Sequence, residues 1–496
     1  MIGVMTERIN LRRPTAAMLL PALLALAAPG LAADRYAALD SCELSAAAGR
    51  ITATARCGRF EVAENPDDTD SRRIELAYAI LPARNRGARP DPVFFLAGGP
   101  GQSARETLPM MRAALREVHR NRDLIFLDQR GTGGSNKLDC RFEDPENWLE
   151  LDFEAIDQQL RACHRQWQAD VRHYTTAHGA ADLEQLRQRY GFEQINLIGG
   201  SYGTRMAQVY LRQYPDRVRS VIIDGVVPTR LHLGSEHGLK LDQTLDKLFT
   251  ACGDDPACNR AFPDLADGFA NLLESYRDDN GMDLVVTHPR TGQAMDLHFS
   301  RDVLASALRF LAYSPQSQMM IPYLVHEAAA TGNPSRLASQ ALIVQEQLDD
   351  LIAIGLNFAV GCSEDWPGWP RHIDQSHTLL GDSMLDFYDT VCAWWPAGEV
   401  ARDFHQPFSS DVPMLILSGQ YDPVTPPEYG EEATEQFANS RHLVGAGLGH
   451  IVLVHPCFGS IAAEFIEQAD VAELNTECMD ALGQEPFFLN LLGPSP

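Results

Sequence analysis

From about residue 72 onward, short apolar runs alternate with amphipathic stretches. Ile74–Leu81 predicts a strand, and Val93-Phe94-Phe95-Leu96 a buried one that ends in Gly98-Gly99-Pro100-Gly101. Leu108, Met111, Leu115 and Val118 then follow at helical spacing, and Leu124-Ile125-Phe126-Leu127 is the next buried strand, stopped by Asp128-Gln129-Arg130-Gly131. Ala181–Tyr190 reads as helix, Ile195–Ile198 as strand, Tyr202–Tyr214 as helix and Val221–Ile223 as strand, closed by Asp224-Gly225. Continuous apolar strands alternating with helices predict a mostly parallel sheet covered on both faces, an α/β fold.

The rhythm breaks near residue 229. Up to about 408 the pattern is mainly helical, with Leu241–Cys252 and Leu337–Phe358 as helices and one hairpin over Asp283–Phe299. Sheet pattern resumes at Met414–Leu417, and Arg441–Val444 supplies a last strand. The expected organisation is a core in two parts, 34–228 and 409–496, with a helical cap at 229–408 inserted between two strands of one sheet. No internal repeat or low-complexity tract is evident.

The first 33 residues have a different character. Arg8, Arg12 and Arg13 precede an apolar run from Ala16 to Ala28, and Gly30 and Ala32 follow at cleavage spacing. A charged start, a short apolar stretch and small residues at the cleavage site predict a secretory signal peptide. No later stretch approaches about 18 consecutive apolar residues, so no membrane span is expected in the mature chain. The expected location is periplasmic or extracellular.

Composition is that of a globular protein, 45% hydrophobic and 22% charged. The net charge of −26 makes nucleic acid a poor partner, because such a surface repels polyanions. Ten cysteines lie beyond the cleavage site, and an even count in an exported chain predicts disulfides. Short loops close at lower entropic cost than long ones, which favours neighbours in sequence: Cys42–Cys57, Cys140–Cys163, Cys252–Cys258, Cys362–Cys392 and Cys457–Cys478. A zinc site is disfavoured, since no C-x-x-C pair occurs and the cysteines are dispersed. No metal or cofactor is expected.

Gly199-Gly200-Ser201-Tyr202-Gly203 fits G-x-S-x-G, and it lies between a strand and an amphipathic helix, as a nucleophile elbow requires. The strained turn demands residues almost without side chains two positions before and after the serine, which Gly199 and Gly203 satisfy. A serine hydroxyl needs a base. His450, in Gly447-Leu448-Gly449-His450 after the last strand, is that candidate, whereas the nearby His442 and His455 read as structural. A carboxylate must orient the base; Asp422 in Gly419-Gln420-Tyr421-Asp422-Pro423 is favoured over Asp224. The order Ser201, Asp422, His450 is that of α/β-hydrolases. The oxyanion donors are expected to be the backbone N–H groups of Tyr202 and Gly99.

The segments LAGGPG, DQRGTGGS, GGSYGT, GQYDPVTP and GLGH, in this order from about 90 to 455, resemble those of the proline iminopeptidase and tripeptidyl aminopeptidase family of α/β-hydrolases. Ala97 stands where that family often carries His, but the backbone donors of the loop remain. The resemblance implies an exopeptidase acting on peptides with a free N-terminus, with the helical insertion as a cap over the site. It also implies acidic cap residues that bind the substrate's ammonium, and Glu364 and Asp365 are the best-matching positions.

Other readings compete. An esterase or lipase would use the same triad and differ only in its cap pocket. A nucleotide-dependent oxidoreductase is suggested by Gly99-Pro100-Gly101-Gln102-Ser103-Ala104, which fits G-x-G-x-x-A after a strand, with Asp128 closing the next one. Pro100 removes a donor where a pyrophosphate would sit, which weighs against it. His326-Glu327 begins H-E-x-x-H, but Ala330 ends that match. Trp366, Trp369, Trp394 and Trp395 read as packing or as walls of an apolar substrate pocket.

Overall fold

Nine strands form one sheet in a computed structural model that describes residues 35–46, 50–140, 153–276, 281–288, 291–349 and 351–494. The strands are β1 (Asp40–Ala46), β2 (Ile51–Ala63), β3 (Arg73–Leu81), β4 (Val93–Leu96), β5 (Leu124–Leu127), β6 (Ile195–Gly200), β7 (Val218–Asp224), β10 (Met414–Gly419) and β11 (Ser440–Gly445), ordered β1-β2-β3-β5-β4-β6-β7-β10-β11. From β5 to β11 every neighbouring pair is parallel. The β1, β2 and β3 end is antiparallel, as is the join of β3 to β5. Every residue of β4, β5, β6 and β10 is buried, the physical counterpart of their unbroken apolar runs. β1 and β2 carry exposed positions along most of their length, so their sequence gives a weaker signal, and they were not foreseen.

The signal-peptide expectation falls on residues 1–33, outside the described residues. Leu39–Pro496 forms one compact unit. Among the described residues no helix is long and apolar enough to cross a membrane.

Between β7 and β10 the chain builds helices around a small antiparallel sheet, β8 (Met282–Thr287) with β9 (Ala294–Phe299), in register from Met282↔Phe299 to Thr287↔Ala294. This segment has its own apolar cluster, including Leu245, Leu248, Phe299, Leu304, Leu308 and Leu324. The single helix expected over Leu337–Phe358 is instead two, Ser335–Asp349 and Ile354–Val360. The break has a tertiary cause: Ala353 N–H donates to Gly101 O (2.9 Å), and Ile352 bridges to Gln102 in antiparallel fashion. Residues 352–365, inside the span expected to be cap, therefore join the wall of the core.

The cysteines pair as Cys42–Cys57, Cys140–Cys163, Cys252–Cys258, Cys362–Cys392 and Cys457–Cys478, with Cα separations of 5.2–5.9 Å. Cys362–Cys392 ties the turn Gly361–Asp365 to the helix Ser383–Cys392, fixing the segment that carries Glu364 and Asp365.

Candidate active site

β6 ends in a turn at Ser201, whose φ of 54° and ψ of −124° lie outside the regions comfortable for a non-glycine residue. Such a backbone costs on the order of 1–3 kcal/mol and persists only where its surroundings enforce it. Here Ser201 N–H donates to Asp224 O (2.9 Å), and the helix Tyr202–Gln213 starts at the next residue. A methyl group on Gly199 would collide with the carbonyl of Gly203, and one on Gly203 with the carbonyl of Leu96. The two glycines are thus required by close backbone approach, not by flexibility. Gly98 is less tightly held, but a methyl there would still lie 3.1 Å from Ser201 Cβ, so the glycine loop after β4 lies directly beside the serine. Tyr202 N–H heads its helix, where the first amides have no intrahelical acceptor.

The loops after β10 and β11 bring Asp422 and His450 together. His450 Nδ1 is 2.8 Å from Asp422 Oδ2, and Thr425 Oγ1 bridges the pair at 2.8 Å from Asp422 and 3.1 Å from His450. Asp422 Oδ1 accepts from the N–H groups of Val424 (3.0 Å) and Thr425 (2.8 Å), so the turn following the acid locks its rotamer. Burial by itself would raise the Asp422 carboxyl. The charge and hydrogen bond of His450, with the two backbone donors, outweigh it and hold the group below its ordinary value. Burial pulls His450 down, but Asp422 wins and raises it.

Asp224, the rival acid, is occupied elsewhere. Its Oδ1 and Oδ2 accept from the N–H groups of Val452 (3.2 Å) and Leu453 (2.7 Å), and burial pushes its carboxyl up to about 7. It clamps the segment just after His450. The next residue, Gly225, abuts the imidazole: a methyl there would lie 3.2 Å from His450 Cε1. Ser201, Asp224, Asp422 and His450 therefore all follow the C-terminal ends of adjacent parallel strands, where ligands bind in open α/β sheets.

Residues from the inserted segment complete the site, and none of them carried a sequence signal. Tyr313 O accepts from His450 N–H (3.1 Å), and its ring stands edge-on to the imidazole at 5.5 Å. Gln318 Nε2 donates to Tyr421 O (2.7 Å), steadying the loop that carries Asp422. Thr425 was findable, since an Asp followed by a turn-forming Thr in D-P-V-T marks such a loop. His442 and His455 do make structural bonds, to Ser418 Oγ (2.9 Å) and from Cys457 N–H (3.3 Å).

Glu364 and Asp365 meet a different fate from that expected of ammonium anchors. Both are buried, at 3% and 0% exposure. Glu364 accepts from Thr176 N–H (2.6 Å) and Oγ1 (2.7 Å); Asp365 accepts from Arg205 Nη1 (2.9 and 3.1 Å) and Leu233 N–H (2.9 Å). Burial pushes the Glu364 carboxyl up to about 7. All four oxygens are thus already engaged by protein donors, and a substrate ammonium would have to displace them. The pair ties the helix after Ser201 to the turn Gly361–Asp365. Breaking a buried ion pair from one side costs roughly 3–5 kcal/mol. Asp365→Asn is expected to lower stability by about 3 kcal/mol or more in urea unfolding while the preference for a free N-terminus survives. A variant of unchanged stability that lost this preference would restore the anchor role.

The structure bears on two of the competing readings as well. Asp128 is fully buried and accepts from Ser103 Oγ (2.7 Å), Arg105 N–H (2.9 Å) and Gly134 N–H (2.9 Å), so it is not available to a ribose. A methyl on Gly101 would lie 2.7 Å from Ala353 O, so the loop's face is covered where a pyrophosphate would approach. Trp394 and Trp395 are packing residues: they pack edge-on or tilted among His164, Trp167 and Phe358, and Trp394 Nε1 donates to Asp157 (2.6 Å).

Comparison with known proteins points to the same fold. Residues 91–304 match the family described as alpha/beta hydrolase fold, and residues 378–478 match that described as TAP-like protein. The chain is 27% identical over 397 residues to the putative hydrolase YuaR of Escherichia coli, covering 70% of this chain and 78% of that one. It is 24% identical over 443 residues to the serine protease Hip1 of Mycobacterium tuberculosis (82% and 83% covered). To the tripeptidyl aminopeptidase of Streptomyces coelicolor it is 24% identical over 437 residues (81% and 79%). The chain is an enzyme of the α/β-hydrolase fold, and over most of its length it is similar to the tripeptidyl aminopeptidases.

Proposed function

We propose that the protein is an exported serine exopeptidase that cleaves residues or short peptides from free peptide N-termini through an acyl-enzyme. The observation that carries this reading is the strained Ser201 turn at the same sheet end as the His450–Asp422 pair. In the first step His450 takes the proton of Ser201 as the hydroxyl oxygen attacks the scissile carbonyl carbon. The C–O bond forms, and the carbonyl oxygen takes up negative charge against the N–H groups of Tyr202 and Gly99. Collapse of this intermediate breaks the C–N bond, and His450 returns its proton to the departing amine. Water then repeats the sequence on the ester, with Asp422 supporting the imidazolium in both halves. The five cystines fit an oxidising, exported setting. Exopeptidase action is supported by the tripeptidyl aminopeptidase likeness, which spans most of both chains.

The test is a panel of mono-, di- and tripeptidyl aminocoumarins, each with a free or acetylated N-terminus, run beside a simple ester. Free N-termini are expected to be cleaved at least about tenfold faster, as a charge-assisted contact of 1.4 kcal/mol or more implies. Equal cleavage of both forms overturns the exopeptidase, and hydrolysis of the ester alone makes the enzyme an esterase.

A further inference from the structure

Arg309 lies on the helix Arg301–Leu311, four residues before Tyr313, the residue that holds His450 through backbone and ring. The guanidinium reaches His237, with Nη2 3.3 Å from Nδ1, and His237 itself feels the charges of His450 and Asp422. Arg309 thus lies close along the chain to the residue that holds His450, and its guanidinium touches a histidine that feels the acid–base pair.

Its partners are poor for a cation. Nη1 faces the thioether sulfur of Met384 at 3.6 Å, a weak acceptor, and Nε is buried with no partner. Among the described residues no carboxylate lies within ion-pair distance of it. Arg309 is half-buried, and even more deeply buried arginines have counter-ions: Arg122 has Asp91 (2.9 Å), Arg130 has Asp182 (2.7 Å) and Arg205 has Asp365 (2.9 Å). With 67 acidic residues against 41 basic ones, a missing counter-ion here is not for want of carboxylates. Burial, reinforced by Arg309, pulls His237 down to about 3, so the ring is neutral; its Nδ1 can accept from Arg309 but supplies no counter-charge. A guanidinium with an unmet buried donor is costly unless a ligand supplies the acceptor.

We propose that Arg309 binds a carboxylate of the substrate while acyl transfer takes place at Ser201. The planar fork of Arg suits a carboxylate, with the two Nη groups donating in parallel, and both Nη groups hold only weak partners here. This carboxylate belongs either to an acidic side chain or to the C-terminus of a short peptide. The inference rests on the serine-hydrolase reading of the site.

The experiment measures kcat/KM ratios within one preparation, which cancels the folded fraction. One pair of substrates is a peptidyl aminocoumarin with Glu or Gln next to the scissile bond; the other is a short peptide with a free or amidated C-terminus. The wild type is expected to favour the carboxylate member of one pair by about tenfold or more, mainly through KM, and the responding pair identifies the source. Arg309→Met should bring that ratio to about one, and Arg309→Lys should keep part of it. Ratios near one for both pairs in the wild type overturn the proposal, as does an unchanged ratio in Arg309→Met. Fluorophosphonate labelling and hydrolysis of a neutral ester by the wild type report separately on the serine hydrolase. If both are lost, the site reading fails; if both persist without a carboxylate preference, only the role of Arg309 fails.

Discussion

Ser201→Ala is expected to lower kcat by at least about 10⁴-fold and to abolish labelling by a fluorophosphonate probe, with the circular dichroism spectrum and melting temperature retained. The magnitude follows from the division of labour in the site. Without the hydroxyl, no acyl-enzyme forms, and what survives is the stabilisation offered by backbone donors and substrate binding. The fold should tolerate the change because the strain at Ser201 is enforced by its neighbours: the bond to Asp224 O and the close approach of Gly199 to Gly203 involve no side-chain atom of Ser201. Alanine keeps the same backbone demand. Labelling that persisted in Ser201→Ala would remove the serine from the mechanism.

Asp422→Asn is expected to reduce kcat/KM by about 10³–10⁴-fold, whereas Asp224→Asn stays within about tenfold of the wild type. Asparagine at 422 can present an N–H to His450 Nδ1, which selects the wrong tautomer and removes the charge that stabilises the imidazolium. At 224 the carboxyl accepts two backbone N–H groups and does not bond the imidazole, so its loss loosens a loop instead of disabling the base. The pH profile separates the two further. His450 works as a base only when neutral, so kcat/KM rises with pH through its pKa, which Asp422 holds above the ordinary histidine value near 6.5. In Asp422→Asn the raising partner is gone and burial remains, so the rising limb moves to lower pH. The reverse ranking of the two variants, or an unmoved limb, would transfer the role to Asp224.

Much of this site was legible because its demands are local. A nucleophile elbow needs strand, serine and helix in immediate succession, with glycines two residues either side, and Gly199 to Gly203 write that requirement within five positions. The buried strands were equally plain, since burial on both faces leaves no polar alternation to confuse them. Asp422 was less certain. Its competitor also closes a strand with an Asp, and only the direction of its hydrogen bonds distinguishes them.

The sequence by itself determined the order of the α/β core, the serine on its turn, the histidine after the last strand and the reading of ten cysteines as neighbouring pairs. These features follow from short-range sterics, two-sided burial and loop entropy, which act along a few tens of residues. Only the tertiary structure decided that Glu364 and Asp365 face inward, because their partners Thr176 and Arg205 are 188 and 160 residues away. It alone broke the helix at Ala353 by offering Gly101 as an acceptor, and it alone set Tyr313 against His450 and left Arg309 Nε without a partner among the described residues. A charged residue carries the same letter whether it is paired, buried or open to a substrate. What it does depends on the field and the donors that distant segments bring to it.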